Sequence, residues 1–184
     1  MKILTGSLRG RGIRFTPHSH LRPTADKVRK ALFDMIQGEL EDKNVLDLFA
    51  GTGALGFEAL SGGAGKVTFV ENSKNQCRAI RENLKKLGLE DKAEIACLDA
   101  ASALESLDKK KTYFDLVFLD PPYEKGLGLK ALEALSASSL IHENSLIFLE
   151  SRKNEKVFDV PPNLKEVKSK AYGDTRIRVY SKKL

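Results

Sequence analysis

From residue 45 to residue 56 the chain reads Val45-Leu46-Asp47-Leu48-Phe49-Ala50-Gly51-Thr52-Gly53-Ala54-Leu55-Gly56. Its first five residues are apolar except for Asp47, which is typical of a buried strand. The glycines that follow match the pattern G-x-G-x-x-G, and a helix is predicted over 54–61. Because glycines let the backbone turn tightly and approach a ligand closely, this strand-turn-helix unit predicts an α/β fold that binds a nucleoside cofactor.

Strands and helices alternate along the chain after this unit. Short apolar runs predict further strands over 67–70, 93–97, 114–119 and 146–149, with helices between them. Two closing strands, about 164–172 and 175–181, meet at Gly173-Asp174. The pattern predicts an α/β, Rossmann-like fold with a mostly parallel seven-stranded sheet flanked by helices.

The N-terminal region does not follow this alternation of strands and helices. Residues 2–15 are basic and glycine-rich, which predicts a small β-hairpin. Apolar residues at helical spacing predict a helix over 25–37, which Thr24 can cap. We therefore divide the chain into a basic N-terminal extension over 1–40 and an α/β domain over 41–184.

The charge is distributed unevenly along the 184 residues, whose formal net charge is +6. Residues 1–40 carry +5, residues 41–150 carry −5 and residues 151–184 carry +6. An acidic centre suits a cationic cofactor and basic flanks suit a polyanion, although solvated basic faces are also common.

The remaining composition narrows the class of protein. Cys77 and Cys97 lie in no Cys/His cluster, so we interpret them as buried small hydrophobes in a reducing, cytoplasmic setting. The three histidines show no metal-ligand spacing, and no metal is expected. No apolar run is long enough to span a membrane, and none resembles a signal peptide.

The glycine turn alone leaves the cofactor open. Glu71 lies 20 residues after Gly51, as in dinucleotide sites, and glycines also serve tight turns that bind nothing. Asp47 favours S-adenosylmethionine over NAD, because a carboxylate there suits a positive amino group and repels a pyrophosphate. Asp99-Ala100 follows the third strand, where an acid can accept a hydrogen bond from the adenine amine.

A second motif, Asp120-Pro121-Pro122-Tyr123, ends the most hydrophobic strand. An exocyclic base amine is a weak nucleophile, because its lone pair is delocalised into the ring. Two acceptors, the Asp120 carboxylate and the Pro121 carbonyl, can hold its hydrogens and aim the lone pair at a methyl group. The prolines stiffen the loop and Tyr123 offers a stacking face, although a proline turn with no ligand remains an alternative.

With both motifs in this order, the chain resembles class I methyltransferases that carry an (Asp/Asn)-Pro-Pro-(Tyr/Phe/Trp) motif. More closely, it resembles the bacterial 16S rRNA guanine-N2 methyltransferases that modify guanine 966 of the small subunit. The similarity covers nearly the whole chain, including Leu21-Arg22-Pro23-Thr24, the glycine turn, Phe69-Val70-Glu71 and 114–123. The chain departs from its relatives in having no tryptophan.

The resemblance implies a residue-level site. Asp47, Gly51 and Gly53 would line the methionine side of S-adenosylmethionine, Glu71 would bind the ribose and Asp99 would lie near the adenine. We assign Phe49, Asn72, Ala100 and Asp120 to the same cofactor site. Asp120, Pro121, Pro122 and Tyr123 would hold the target guanine amine.

The resemblance also implies a partner, 16S rRNA in an assembled or assembling 30S subunit, bound by a monomer. We expect the rRNA to contact the basic residues Arg9, Arg11, Arg14, Arg22, Lys27 and Arg29, although a solvated face would look the same. The rival functions are N6-adenine methylation of DNA or RNA, glutamine methylation of a protein, an NAD-dependent oxidoreductase and a scaffold without catalysis.

Overall fold

The computed structural model describes residues 1–14, 26–122, 126–155 and 159–183, which contain seven strands, five α-helices and one short 3-10 helix, Glu90–Lys92. The strands are β1 Asn44–Asp47, β2 Lys66–Val70, β3 Ala93–Ala96, β4 Phe114–Leu119, β5 Ile141–Arg152, β6 Leu164–Tyr172 and β7 Thr175–Lys182. The helices are α1 Asp26–Met35, α2 Ala54–Ser61, α3 Lys74–Leu87, α4 Ala100–Lys109 and α5 Leu127–Ala137.

All seven strands join one sheet in the order β3-β2-β1-β4-β5-β7-β6. The strands β1 to β5 pair in parallel, and β7 pairs antiparallel with both β5 and β6. The predicted mostly parallel sheet with a closing hairpin is therefore confirmed. The parallel part arises because a helix separates each of its strands from the next and carries the chain back across the sheet.

Two predicted elements differ from the structure. β5 begins at Ile141, five residues before the predicted start, because Ile141 already pairs with Phe114 of β4, ahead of a shift in register that ends at Leu146. The N-terminal hairpin is smaller than predicted: one antiparallel bridge joins Lys2 to Gly12, and three further backbone hydrogen bonds join its two arms. Contacts with α1, α2 and α3 hold the rest of loop 1–14.

The sheet buries side chains on both of its faces. On one face Val45, Phe69 and Phe118 pack against α1, α2 and α3. On the other, Leu46 and Val117 pack against α4 and α5. The N-terminal side chains Ile3, Ile13, Val28, Leu32 and Phe33 belong to the first of these cores. Loop 1–14 and α1 thus share one core with the sheet. Within the described residues, no helix is long and apolar enough to cross a membrane.

A buried ion pair joins α1 to α2, and both of its side chains also bind the loop 1–14. The guanidinium Nε of Arg29 donates to Glu58 Oε1 at 3.0 Å, and both side chains are 1% exposed. Glu58 also accepts hydrogen bonds from the amides of Leu4 and Thr5 and from the Thr5 hydroxyl. The guanidinium of Arg29 also donates hydrogen bonds to the carbonyl of Lys2 and to the carboxylate of Asp26.

This arrangement corrects the prediction for Arg29. The sequence interpretation placed its side chain on an RNA-binding face, but the side chain is buried and its donors are used inside the protein. A guanidinium withdrawn from water is retained only when it is paired, and Glu58 provides the pairing charge. Arg29 therefore holds the N-terminal loop instead of contacting RNA.

We predict that Glu58→Gln lowers the free energy of unfolding by about 3 kcal/mol, because the substitution leaves the Arg29 charge buried without its partner. Urea denaturation followed by circular dichroism measures the change. Lys30→Ala is the matched control, since its ion pair with Asp34 is exposed and should contribute little. Equal effects of the two substitutions would show that the buried pair does not stabilise the fold.

Candidate active site

Three carboxylates meet at the carboxyl edge of the parallel strands. Asp47 ends β1, Glu71 follows β2 and Asp120 follows β4. β1 lies between β2 and β4, with Asp47 opposite Phe69 on one side and Phe118 on the other. This edge is where open α/β sheets bind their ligands, so these residues define the candidate site.

Asp47 is the most perturbed of the three carboxylates. Its side chain is buried, and Oδ2 accepts a hydrogen bond from the amide of Gly56 at 3.0 Å. No donor in the described part of the chain reaches Oδ1. The pKa of Asp47 is raised to about 7, chiefly by burial and also by the negative charges of Asp120 and Glu71, against the lowering effect of the Gly56 amide.

The glycine turn brings its backbone to Glu71. Gly51 and Gly53 have φ values of 52° and 78°, in the left-handed region that glycine adopts without strain. The amide of Gly51 donates to Glu71 Oε2 at 2.8 Å, and the amide of Ser73 donates to Oε1 at 2.7 Å. Each ionised carboxylate oxygen keeps a second lone pair, so Glu71 can still accept ribose hydroxyls.

The third glycine of the motif serves packing. A Cβ atom at Gly56 would lie 2.1 Å from the ring of Phe69, so α2 can approach β2 this closely only because residue 56 has no side chain. The same close approach carries the Gly56 amide to Asp47. One residue thus sets both the helix position and the hydrogen bond that orients the carboxylate.

The predicted adenine-side residues lie at the start of α4. Asp99 caps this helix, with its two oxygens accepting from the Ser102 amide at 3.0 Å and the Ser102 hydroxyl at 2.7 Å. These bonds lower the pKa of Asp99. Asp99 and Asn72 are exposed, whereas Phe49 and Ala100 are half-buried. Asp99 is therefore charged and already oriented by its helix.

The loop after β4 borders a cleft. Asp120 is half-buried, Pro121 is buried and Pro122 is exposed, while Tyr123 lies outside the described residues. The cleft runs from the two prolines to the start of α5 and the end of β5, and it is lined by Pro121, Pro122, Gly126, Leu127, Gly128, Leu149, Glu150, Ser151 and Glu155. It is a concave surface beside Asp120 and at the same sheet edge as Asp47.

The predicted RNA-contacting residues are scattered. Arg9, Arg11, Arg14 and Lys27 are exposed, and Arg22 lies outside the described residues. The loop's turn packs on the C-terminal end of α2, where Ser7 bonds Ser61. Met1 instead contacts Thr52 in the glycine turn. Arg9, which lies in the loop's turn, is thus at the end of α2 away from the candidate site.

The sequence interpretation missed two features of this edge. The register of β7 on β5 pairs Arg152 with Thr175, so the β6–β7 turn also lies at the carboxyl edge. Three exposed lysines lie nearby: Lys153 follows β5 at this edge, and Lys168 and Lys170 lie on the outer strand β6. Cys97 is exposed, so the prediction of two buried cysteines is wrong for that residue.

Comparison with known proteins identifies the family. A family model described as "Conserved hypothetical protein 95" matches residues 1–181. The ribosomal RNA small subunit methyltransferase D of Haemophilus influenzae is 34% identical over 181 residues, which are 98% of this chain and 93% of that protein. This chain belongs to the ribosomal RNA small subunit methyltransferase D family.

Other members of the methyltransferase D family agree in sequence and structure. The Escherichia coli K12 protein of that name is 33% identical over 182 residues, covering 99% of this chain and 90% of its own. The solved structure of the Escherichia coli protein yhhF has a TM-score of 0.85 at 33% identity, with 99% and 97% of the two chains covered. The predicted class I methyltransferase fold is confirmed.

We predict that Asp47→Asn stabilises the protein at pH 8 and not at pH 4. The raised pKa means that folded Asp47 holds its proton where the unfolded chain releases it, so stability falls as the pH rises from about 4 to about 7. The asparagine variant lacks this loss and should be more stable at pH 8 by on the order of 1–4 kcal/mol. Urea denaturation at both pH values measures the difference, and a pH-independent difference would contradict the assignment.

Proposed function

We propose that this chain transfers a methyl group from S-adenosylmethionine to the exocyclic N2 amine of a guanine in 16S rRNA. The resemblance points to guanine 966 of the small subunit. The observation that carries the proposal is the meeting of Asp47, Glu71 and the Asp120-Pro121-Pro122 loop at one edge of the sheet. Membership of a small-subunit rRNA methyltransferase family supports the same reaction.

The residues present fit S-adenosylmethionine. The buried Oδ1 of Asp47 has no donor among the described residues, and a positive amino group would supply one. Glu71 lies one strand away with two oxygens fixed by backbone amides, as a ribose diol requires. Asp99 at the start of α4 extends the row toward the adenine, beside Ala100, while Phe49, Gly51 and Gly53 form the floor. The three carboxylates of this row, Asp47, Glu71 and Asp99, suit a cationic ligand better than a dinucleotide.

S-adenosylmethionine, when bound, supplies a methyl group on a sulfonium centre, whose thioether is an excellent leaving group. The chain's own residues then have to hold the amine. The Asp120 carboxylate accepts one N–H of the base and the Pro121 carbonyl accepts the other, which turns the nitrogen lone pair toward the methyl group. The amine becomes acidic only as it is alkylated, so its proton can pass to Asp120 or to water.

We place the target base beside Pro121, next to the Asp120 carboxylate, after its extrusion from the base stack. The cleft there is lined by the two prolines, Leu149 and the first residues of α5, with Glu150, Ser151 and Glu155 as polar groups. N6-adenine methylation remains the alternative, because the same two acceptors can hold an adenine amine.

Both basic flanks are proposed to contact rRNA. On the N-terminal side the exposed candidates are Arg9, Arg11, Arg14 and Lys27, with Arg22 outside the described residues. On the C-terminal side Lys153 follows β5 at the carboxyl edge, and Lys168 and Lys170 lie on the outer strand β6. We further propose a monomer that acts on the assembled or assembling 30S subunit in the cytoplasm.

The methyl-transfer prediction concerns Asp120. Asp120→Ala removes one of the two acceptors and should lower the transfer rate about a hundredfold, because the amine is no longer aimed. Asp120→Asn is the matched control, since it keeps an acceptor oxygen and should retain part of the activity. The assay uses methyl-labelled S-adenosylmethionine, 30S subunits from a strain lacking the gene, and mass spectrometry of digested rRNA.

Each result of that assay has a meaning. N2-methylguanosine at one rRNA position, lost in Asp120→Ala, supports the reaction and the loop together. Label on adenine would overturn the guanine assignment and keep the chemistry. Equal rates in Asp120→Ala and the unaltered protein would overturn the proposed function of the loop.

The docking prediction compares three triple variants to alanine. Removing Arg9, Arg11 and Arg14, or Lys153, Lys168 and Lys170, should weaken rRNA binding about tenfold and lower the slope against log salt by about two to three. Lys109, Lys110 and Lys111 are the control, because they lie at the end of α4, on the face of the sheet opposite to loop 1–14 and at the edge opposite to the β6–β7 turn. Filter binding at several salt concentrations measures all three, and a control as defective as a flank variant would contradict that flank.

A further inference from the structure

The thiols of Cys77 and Cys97 are in contact next to the backbone of Glu71, the residue proposed to bind the ribose. Cys77 lies in the first turn of α3 and is buried, and Cys97 follows β3 and is exposed. Their sulfur atoms are 2.7 Å apart, closer than two sulfurs in ordinary contact. Cys77 Sγ also lies 3.3 Å from the carbonyl oxygen of Glu71. The contact joins two segments that are 20 residues apart in sequence.

We propose that Cys77 and Cys97 form a redox-active thiol pair that closes to an intramolecular disulfide and thereby lowers the affinity of the adjacent site for its cofactor. The disulfide itself depends only on the two cysteines. Its effect on the cofactor rests on the proposed function, in which Glu71 binds the ribose.

The chemistry requires a two-electron oxidant, for which hydrogen peroxide is the simplest class. The Cys97 sulfur attacks one peroxide oxygen, the O–O bond breaks, and a sulfenic acid and one water form. The Cys77 sulfur then attacks Cys97, the S–O bond breaks, and the departing hydroxide takes the Cys77 proton as a second water. Overall, two thiols and one peroxide give one disulfide and two waters.

The environments of the two thiols set their order of reaction. Burial first, and the neighbouring Cys97 second, raise the pKa of Cys77 to about 12. Cys77 therefore keeps its proton until the second step. Cys97 is exposed to solvent, so a soluble oxidant reaches its sulfur first. This division into an exposed attacking thiol and a protected resolving thiol is the arrangement of a redox pair.

The position of the pair connects it to the cofactor site. The Cys77 thiol can donate to the carbonyl of Glu71, and disulfide formation removes that donor. The Glu71 amide bonds the carbonyl of Ala96, the residue before Cys97, and the Glu71 carboxylate holds the amides of Gly51 and Ser73. Cys97 stands two residues before Asp99. Closing the disulfide therefore changes the support of both carboxylates.

A simpler explanation is that the two cysteines only fill space. A cytoplasm keeps most thiols reduced, so a disulfide there would form only under oxidative stress and would be reversed afterwards. The two explanations differ in the thiol count after mild oxidation and in the response of cofactor binding. Both quantities can be measured on the full chain.

The experiment treats the purified, reduced protein with a small excess of hydrogen peroxide. Thiol titration and peptide mass spectrometry should show loss of two thiols and a Cys77–Cys97 linked peptide. Calorimetry with S-adenosylhomocysteine should show an affinity about fivefold lower, the equivalent of one hydrogen bond, and dithiothreitol should restore it. Cys97→Ser should bind like the reduced protein and should not respond to peroxide. Cys97 is exposed, so this variant avoids a change in the core.

Two results would overturn the proposal. One is that both thiols survive peroxide or oxidise without forming the linked peptide. The other is that the disulfide forms while the affinity for S-adenosylhomocysteine stays unchanged. Failure of the reduced protein to bind S-adenosylhomocysteine would instead overturn the proposed function and the effect on affinity, while the thiol count still decides whether the disulfide forms.

Discussion

The parallel pairing of β1 with β2 on one side and β4 on the other is the constraint on which the site depends. Parallel strands end at the same edge, so Asp47, Glu71 and Asp120 converge although they are far apart in the sequence. Backbone hydrogen bonds continue past the end of β1, since the amide of Leu48 donates to the carbonyl of Phe118 and the amide of Ala50 to that of Val70. The glycine turn then starts from a fixed position, which brings the Gly51 amide to Glu71.

The convergence of negative charge has an energetic cost that indicates function. A buried carboxylate beside two others is unfavourable, and the raised pKa of Asp47 is the expression of that cost. A protein selected for stability alone would replace Asp47 with a neutral residue. One oxygen of the Asp47 carboxylate has no hydrogen-bond donor among the described residues, and a cationic ligand bound there would supply one.

The opposite solution appears at Glu58, where a buried carboxylate is fully paired. Arg29, two amides and a hydroxyl surround it, and their effect is to hold the loop 1–14 against α2. The contrast separates two uses of buried charge in one small protein. Asp47 has an oxygen left for a ligand, whereas Glu58 has its oxygens committed to structure.

The sequence by itself determined the fold class, the strand order along the chain and the residues at the carboxyl edge. These follow from local patterns, because a buried strand, a glycine turn and a proline loop each leave a signature within a few residues. Only the tertiary structure decided that Arg29 is buried, that Cys77 meets Cys97 and that the β6–β7 turn shares the edge with Asp120. Those facts depend on pairs separated by many residues, and the charge or hydropathy of one residue does not specify the partner that the fold brings to it.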